Sequence, residues 1–322
     1  MQAVARILVA LVSTTLAAFA LNASAQTYPT KPIRLIVPFA PGGGTDVLAR
    51  MISVKLSEAL GQSVVIDNRP GSDGIVGSEV LARANPDGYT LIIVSSSHAI
   101  NPALGRKLPY DTLNDFSYIT QTAVQQLLLF VHPSVPAKTV KELLAIVKAK
   151  PNGYNYGSSS NAAALPMELF KSMSGAQIQH IPYKGSGPML NDLLGGQIHM
   201  SIGGAVSAIP HLKSGRLRGL AVGDSKRIAA MPDMPTIAEA GVPGYHATIW
   251  TGMMAPAKTP QAIVDRVSSE VSKIVRDKDF TARMQQLGSD TAGTTPAEWR
   301  QFVSSEIAKW TKIAKAANMT AE

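Results

Sequence analysis

Short apolar runs bounded by glycine and proline turns alternate along most of this chain with stretches in which apolar residues recur every three or four positions. The first spacing predicts buried strands and the second amphipathic helices. Arg34-Leu35-Ile36-Val37 reads as a strand that runs into the turn Phe39-Ala40-Pro41-Gly42-Gly43-Gly44-Thr45-Asp46. Leu48, Ile52, Leu56, Ala59 and Leu60 then share one helix face, with Thr45 or Asp46 as the expected N-cap and Gly61 as the stop. Ser63 to Ile66 is a second strand, followed by a second glycine loop, Gly71 to Gly74, and a helix from Ile75 to Ala84. A third strand, Tyr89 to Val94, runs into Ser95-Ser96-Ser97-His98, expected to be a polar loop. Strands alternating with helices predict an α/β fold with a mostly parallel sheet, where ligands bind beyond the carboxyl ends of the strands.

From Phe116 to Val131 the pattern changes to extended segments, ending in the almost wholly apolar Leu127-Leu128-Leu129-Phe130-Val131. This predicts a strand crossing into a second lobe, and Ile249 to Ala255 predicts a second crossing that returns the chain to the first. Between them lie a polar loop, Gly157-Ser158-Ser159-Ser160-Asn161, a helix around Met167 to Met173, and the strand Ile178 to Ile181. A short helix to Leu194, the strand His199 to Ile202, a further helix and the strand Leu217 to Val222 complete that unit. Thr-x-x-Glu capping boxes at Thr139, Thr236 and Thr295 each predict a helix start. The reading divides the chain into a leader at 1–25, lobe 1 at 26–126 plus 250–322, and lobe 2 at 127–249.

The leader supplies an address. Arg6 precedes an apolar run from Ile7 to Leu21, and Ala23-Ser24-Ala25 offers small residues for cleavage, the pattern of a secretory signal peptide. Export of a chain with no cysteine fits a periplasmic protein with a large core. Its formal charge of +8 comes from scattered lysines and arginines rather than a cluster or an aromatic-interleaved stripe, which excludes nucleic acid as the partner.

Charge and export together point to an anionic solute, and the glycine turn is where it would bind. The first turn of a helix leaves N–H groups unpaired, and three glycines let a ligand approach that backbone at the positive end of the helix dipole. No Lys-Ser or Lys-Thr follows the glycines and the third glycine of the dinucleotide fingerprint is missing, so the expected anion is smaller than a nucleotide. The six histidines show no metal-binding spacing, no Gly-x-Ser-x-Gly elbow surrounds Ser158 or Ser186, and no cofactor is expected. An enzymatic alternative is an exported hydrolase or isomerase using Ser97 with His98 or the Ser158 to Ser160 run. Adjacent residues lack the third, orienting group such a pair needs.

Val37 to Asp46, Asn68-Arg69-Pro70-Gly71, Pro86 to Leu91, Pro182-Tyr183-Lys184-Gly185 and Asp192 to Gln197, in that order, closely resemble the Bug family, extracytoplasmic receptors of tripartite tricarboxylate transporters. The resemblance implies a type II periplasmic-binding-protein fold: two α/β lobes joined by two crossing strands, with one carboxylated solute in the cleft between them. It implies a monomer that delivers the solute to membrane transporter subunits or a sensor kinase. It also implies a cleft lined by Phe39, Pro41, Gly43, Gly44, Thr45 and Asp46, by Ser96, Ser97 and His98, and by Ser158, Ser159, Ser160 and Asn161. Two departures lie in lobe 2: a shorter loop at Ser160-Asn161-Ala162-Ala163-Ala164, and Gly203-Gly204 where most members have Asp-Asn. With no carboxylate at Gly203 the expected ligand carries no amine, and extra room there would admit a bulkier body.

The leader reading makes the first prediction. The intact mass of the exported protein should place its first residue at Gln26, and a membrane-bound form retaining Met1 would overturn it.

Overall fold

The computed structural model describes residues 28–159 and 161–316. The leader and Ser160 lie outside the described residues. In chain order the first lobe opens with β1 (Ile33–Val37), α1 (Gly44–Leu60), β2 (Val64–Asn68), α2 (Ile75–Ala82), β3 (Thr90–Ser95) and α3 (Ser97–Ala103). The long strand β4 (Phe116–Val131) leads to α4 (Val140–Ala149), β5 (Asn155–Ser158), α5 (Asn161–Ser174), β6 (Gln179–Pro182), α6 (Ser186–Leu194), β7 (Met200–Gly204), α7 (Ala205–Lys213) and β8 (Arg218–Val222). After β9 (Thr248–Pro256) come α8 (Gln261–Arg276), α9 (Lys278–Gln286), β10 (Ser289–Thr291) and α10 (Pro296–Ala316). Among the described residues no helix is long and apolar enough to cross a membrane.

The sheet is mixed rather than mostly parallel. β2, β1 and β3 pair in parallel, as do β7, β5 and β6, but β4 and β9 run antiparallel to each other and to their other neighbours. The reason is the crossing itself: a chain that leaves a lobe on one strand and returns on the next must reverse direction. Up to Gln126, β4 pairs with β9; from Leu127 onward it pairs with β7 and β8. One unbroken strand therefore belongs to both lobes. Each lobe buries its own apolar clusters, Leu35, Leu48, Ile52 and Val271 among those of the first, Leu129, Tyr156, Phe170 and Tyr245 among those of the second.

Helix starts differ from the sequence reading in informative ways. α1 begins at Gly44 with Gly43 as N-cap, so Asp46 lies inside the first turn and does not cap it. Its buried carboxylate accepts hydrogen bonds from Gly42 N at 3.1 Å, Arg50 Nε at 2.9 Å and Asn68 Nδ2 at 2.9 Å, which braces the glycine loop against α1 and the end of β2. Burial alone would raise its pKa; these donors outweigh burial and hold the carboxyl below the usual carboxylate range. The Thr236 box forms, with Thr236 N donating to Glu239 Oε2 at 2.8 Å, but it closes hydrogen-bonded turns and no helix follows. α8, which follows Pro260, ends at Asp277, whose side chain caps α9.

Ser95 to His98 is likewise no loop, because α3 starts there. One residue beyond Ser97, the helical twist turns His98 into lobe 1 instead of the cleft. The ring is 3% exposed, stacks on Tyr110 with centroids 6.0 Å apart, and meets the edge of Phe116 at 5.1 Å. Burial pushes its pKa down to about 4. Because the folded state disfavours the proton, the contribution to stability is complete above the unfolded value near 6.5 and is lost as pH falls toward 4. Between pH 7 and pH 5 this one group should cost the protein about 2 kcal/mol of unfolding free energy. Urea denaturation at the two pH values should show that difference shrinking in His98→Phe, and equal slopes in the two proteins would refute it.

Candidate functional site

Where the lobes face each other they enclose a cavity of about 80 Å³, several times the roughly 10–15 Å³ that one water needs. Its polar lining comes largely from helix N-termini. Lobe 1 contributes Gly43, Gly44 and Thr45 at the start of α1, and Ser95, Ser96 and Ser97 at the start of α3. Lobe 2 contributes Ser186 at the start of α6, and Gly203, Gly204 and Ser207 at the start of α7. The N-caps of these four helices, Gly43, Ser96, Gly185 and Gly204, make no side-chain cap hydrogen bond. Away from the cavity, Thr139 and Asp277 accept from Glu142 N and Phe280 N in the usual way. No side-chain cap therefore competes for the first-turn amides at these four helix starts.

The remaining wall is largely apolar, with Phe39, Ile100, Leu127, Met189, Ile249 and Trp310 prominent in it beside the polar Gln125, Ser159 and Thr248. Trp310 is fixed by Glu306, whose carboxylate accepts from Trp310 Nε1 at 3.0 Å and from Trp250 Nε1 on β9 at 2.9 Å. Among the described residues, none with a charged side chain lines the cavity. An anion placed there meets oriented N–H groups and helix dipoles, whereas a cation would give up its hydration with no counter-charge.

The lobes are in contact around this cavity. A Cβ on Gly187 would lie 2.6 Å from the Pro41 carbonyl oxygen, one on Gly185 3.0 Å from Ala40 Cβ, and one on Gly43 3.4 Å from Ser186 Oγ. Backbone meets backbone across the cleft because glycine occupies these positions.

Of the residues singled out from sequence, Phe39, Gly43, Gly44, Thr45, Ser96, Ser97, Ser159 and Gly203 lie in the cavity wall. Pro41 sits at the rim, its carbonyl against Gly187, while Asp46 and His98 serve lobe 1 internally. Ser158 is buried behind the wall with its hydroxyl 2.7 Å from His180 Nε2. Ser160 is outside the described residues, and Asn161 opens α5. Gly203 does not provide extra room: a Cβ there would meet the Phe130 ring at 3.2 Å, so that direction is filled by core. Gln125, Ser186, Ser207, Thr248 and Trp310 are wall residues that the sequence reading missed. The Gln125-Gln126 pair interrupting an apolar strand was the legible signal for the first of them.

Neither serine–histidine arrangement makes a catalytic dyad facing the cavity. Ser97 Oγ pairs with Ser95 Oγ at 3.1 Å while His98 Nε2 lies 3.4 Å from Thr112 O, and the Ser158–His180 pair stands outside the wall.

Residues 48–319 match the family described as tripartite tricarboxylate transporter family receptor. BugT of Bordetella pertussis is 36% identical over 303 residues, 93% of each chain. Among solved structures, an R. palustris protein with adipate is similar with a TM-score of 0.89 at 39% identity, covering 91% of this chain and 99% of that one. MatC from Rhodopseudomonas palustris with bound malate gives a TM-score of 0.84 at 30% identity, covering 89% and 99%. With two lobes, a cleft lined by uncapped helix starts and this similarity along its length, the chain belongs to the tripartite tricarboxylate transporter receptors, the Bug group of periplasmic solute-binding proteins, which are receptors and not enzymes.

Proposed function

We propose that this protein captures a small carboxylate-bearing solute in the periplasm by closing its lobes on it, and hands it as a monomer to a transporter of the tripartite tricarboxylate type. The observation that carries the reading is the convergence of uncapped helix N-termini on a cavity without charged side chains. Several neutral donors in a closed cleft hold a carboxylate reversibly, since each is individually modest. The adipate and malate bound by similar receptors support the carboxylate class. The largely apolar wall favours a ligand with a methylene body, and the absence of an acidic side chain from that wall disfavours an amine. In this reading the lobes, 26–126 with 250–322 and 127–249, turn about the point where β4 changes partners and about the start of β9.

A thermal-shift screen of carboxylic acids tests the class: a ligand at a hundred times its Kd adds about 2.7 kcal/mol of stability. Adipate should stabilise more than 2-aminoadipate at equal concentration, and preference for the amino acid would overturn the assignment. Gly187→Ala tests closure. Alanine suits the helix backbone of α6 but sets its methyl against Pro41 O, so the ligand-free melting temperature should hold or rise while adipate affinity falls at least about tenfold. Unchanged affinity would mean that the lobes do not need to meet there.

A further inference from the structure

Gln125 lies on β4 two residues before the strand changes partners, between the lobes rather than in either. It is 1% exposed and forms part of the cavity wall. Its carboxamide oxygen stands 2.8 Å from where a Cβ on Gly44 would be, and 3.3 Å from where one on Gly204 would be. The amide therefore fills space that one glycine from each lobe leaves clear. Gly44 is the first residue of α1 and Gly204 the N-cap of α7, so the oxygen rests at the positive ends of two helices, the orientation their dipoles favour. That orientation sends the NH₂ the other way. Nε2 is buried and has no hydrogen-bond partner among the described residues. An unpaired buried amide N–H is costly, and such a group in a native structure calls for a role or a partner.

Building on the carboxylate reading above, we infer that Gln125 is the side-chain donor that receives the solute's carboxylate oxygen between the two lobes, and that its neutrality makes the pocket select an acid over an amine. Among the wall residues it is the side chain at which a one-atom change, amide NH₂ to carboxylate O, would introduce a charge without altering shape. Glutamate here would face the solute's carboxylate with like charge and offer an ammonium the counter-ion the native wall lacks. Gln126, the next residue, projects from the opposite face of the same strand and does not line the cavity, although its Oε1 is likewise buried without a partner, which makes it a matched control.

The experiment is calorimetric titration of the full exported protein and its variants with adipate and with 6-aminohexanoate, which replaces one carboxylate by an ammonium. Gln125→Leu should weaken adipate binding by at least about tenfold, the loss expected for one hydrogen bond to a charged group, without lowering the ligand-free melting temperature. Gln125→Glu should weaken adipate further and shift the adipate to 6-aminohexanoate affinity ratio toward the amine. Gln126→Leu should leave both affinities within about twofold. Adipate affinity that is unchanged in both Gln125 variants overturns the inference while leaving the carboxylate reading standing. A loss in Gln126→Leu as large as in Gln125→Leu also overturns it, because the effect then belongs to the pivot and not to the donor. Wild-type protein that binds neither adipate nor any other acid of the screen overturns the carboxylate reading and this inference with it.

Discussion

Helix starts that carry no side-chain cap and meet around one cavity are the constraint on which the rest of this molecule depends. A carboxylate taken out of water must be compensated, and among the described residues the cavity wall has no lysine or arginine to do it. In the proposed reading the compensation would be distributed over amides at the beginnings of α1, α3, α6 and α7, whose N-caps make no side-chain cap hydrogen bond. A buried cation would hold an anion more tightly but would itself need to be paired whenever the cleft opened. Neutral donors carry no such cost.

Those donors are useful only if they converge, and convergence comes from the crossing strands. β4 pairs first with β9 and then with β7 and β8, so the rim of lobe 1 and the rim of lobe 2 hang from one continuous strand. Glycines at 43, 185 and 187 let the rims approach at backbone distance. The antiparallel crossing that makes the sheet mixed is thus the same feature that places helix starts from both lobes around one cavity.

Charged and titratable residues close to the cleft work on its supports. Asp46 is spent on Gly42, Arg50 and Asn68, which holds the glycine loop in shape. Glu306 ties Trp310, a wall residue, to Trp250 on the returning strand. His98 fills an aromatic corner under α3. Each of these side chains stabilises a surface that itself remains uncharged.

Much of this was legible in the residues alone. Apolar runs set the strands, the spacing of Leu48, Ile52 and Leu56 set α1, and the glycine loop before it marked a place of close approach to backbone, because these features depend on local sterics and local hydrogen bonding. The segments joining the lobes were also readable as extended. What the sequence could not decide was direction. Whether His98 faces solute or core turns on a helix starting one residue earlier, and whether Gly203 opens space turns on Phe130 arriving from β4. Gln125 becomes a wall residue only because Gly44 and Gly204, 81 and 79 positions away in the chain, are brought to the same point. Local pattern determines which segments form, since periodicity is a property of neighbours in sequence; which side chains share a cavity is decided by packing between segments, where sequence separation carries no information.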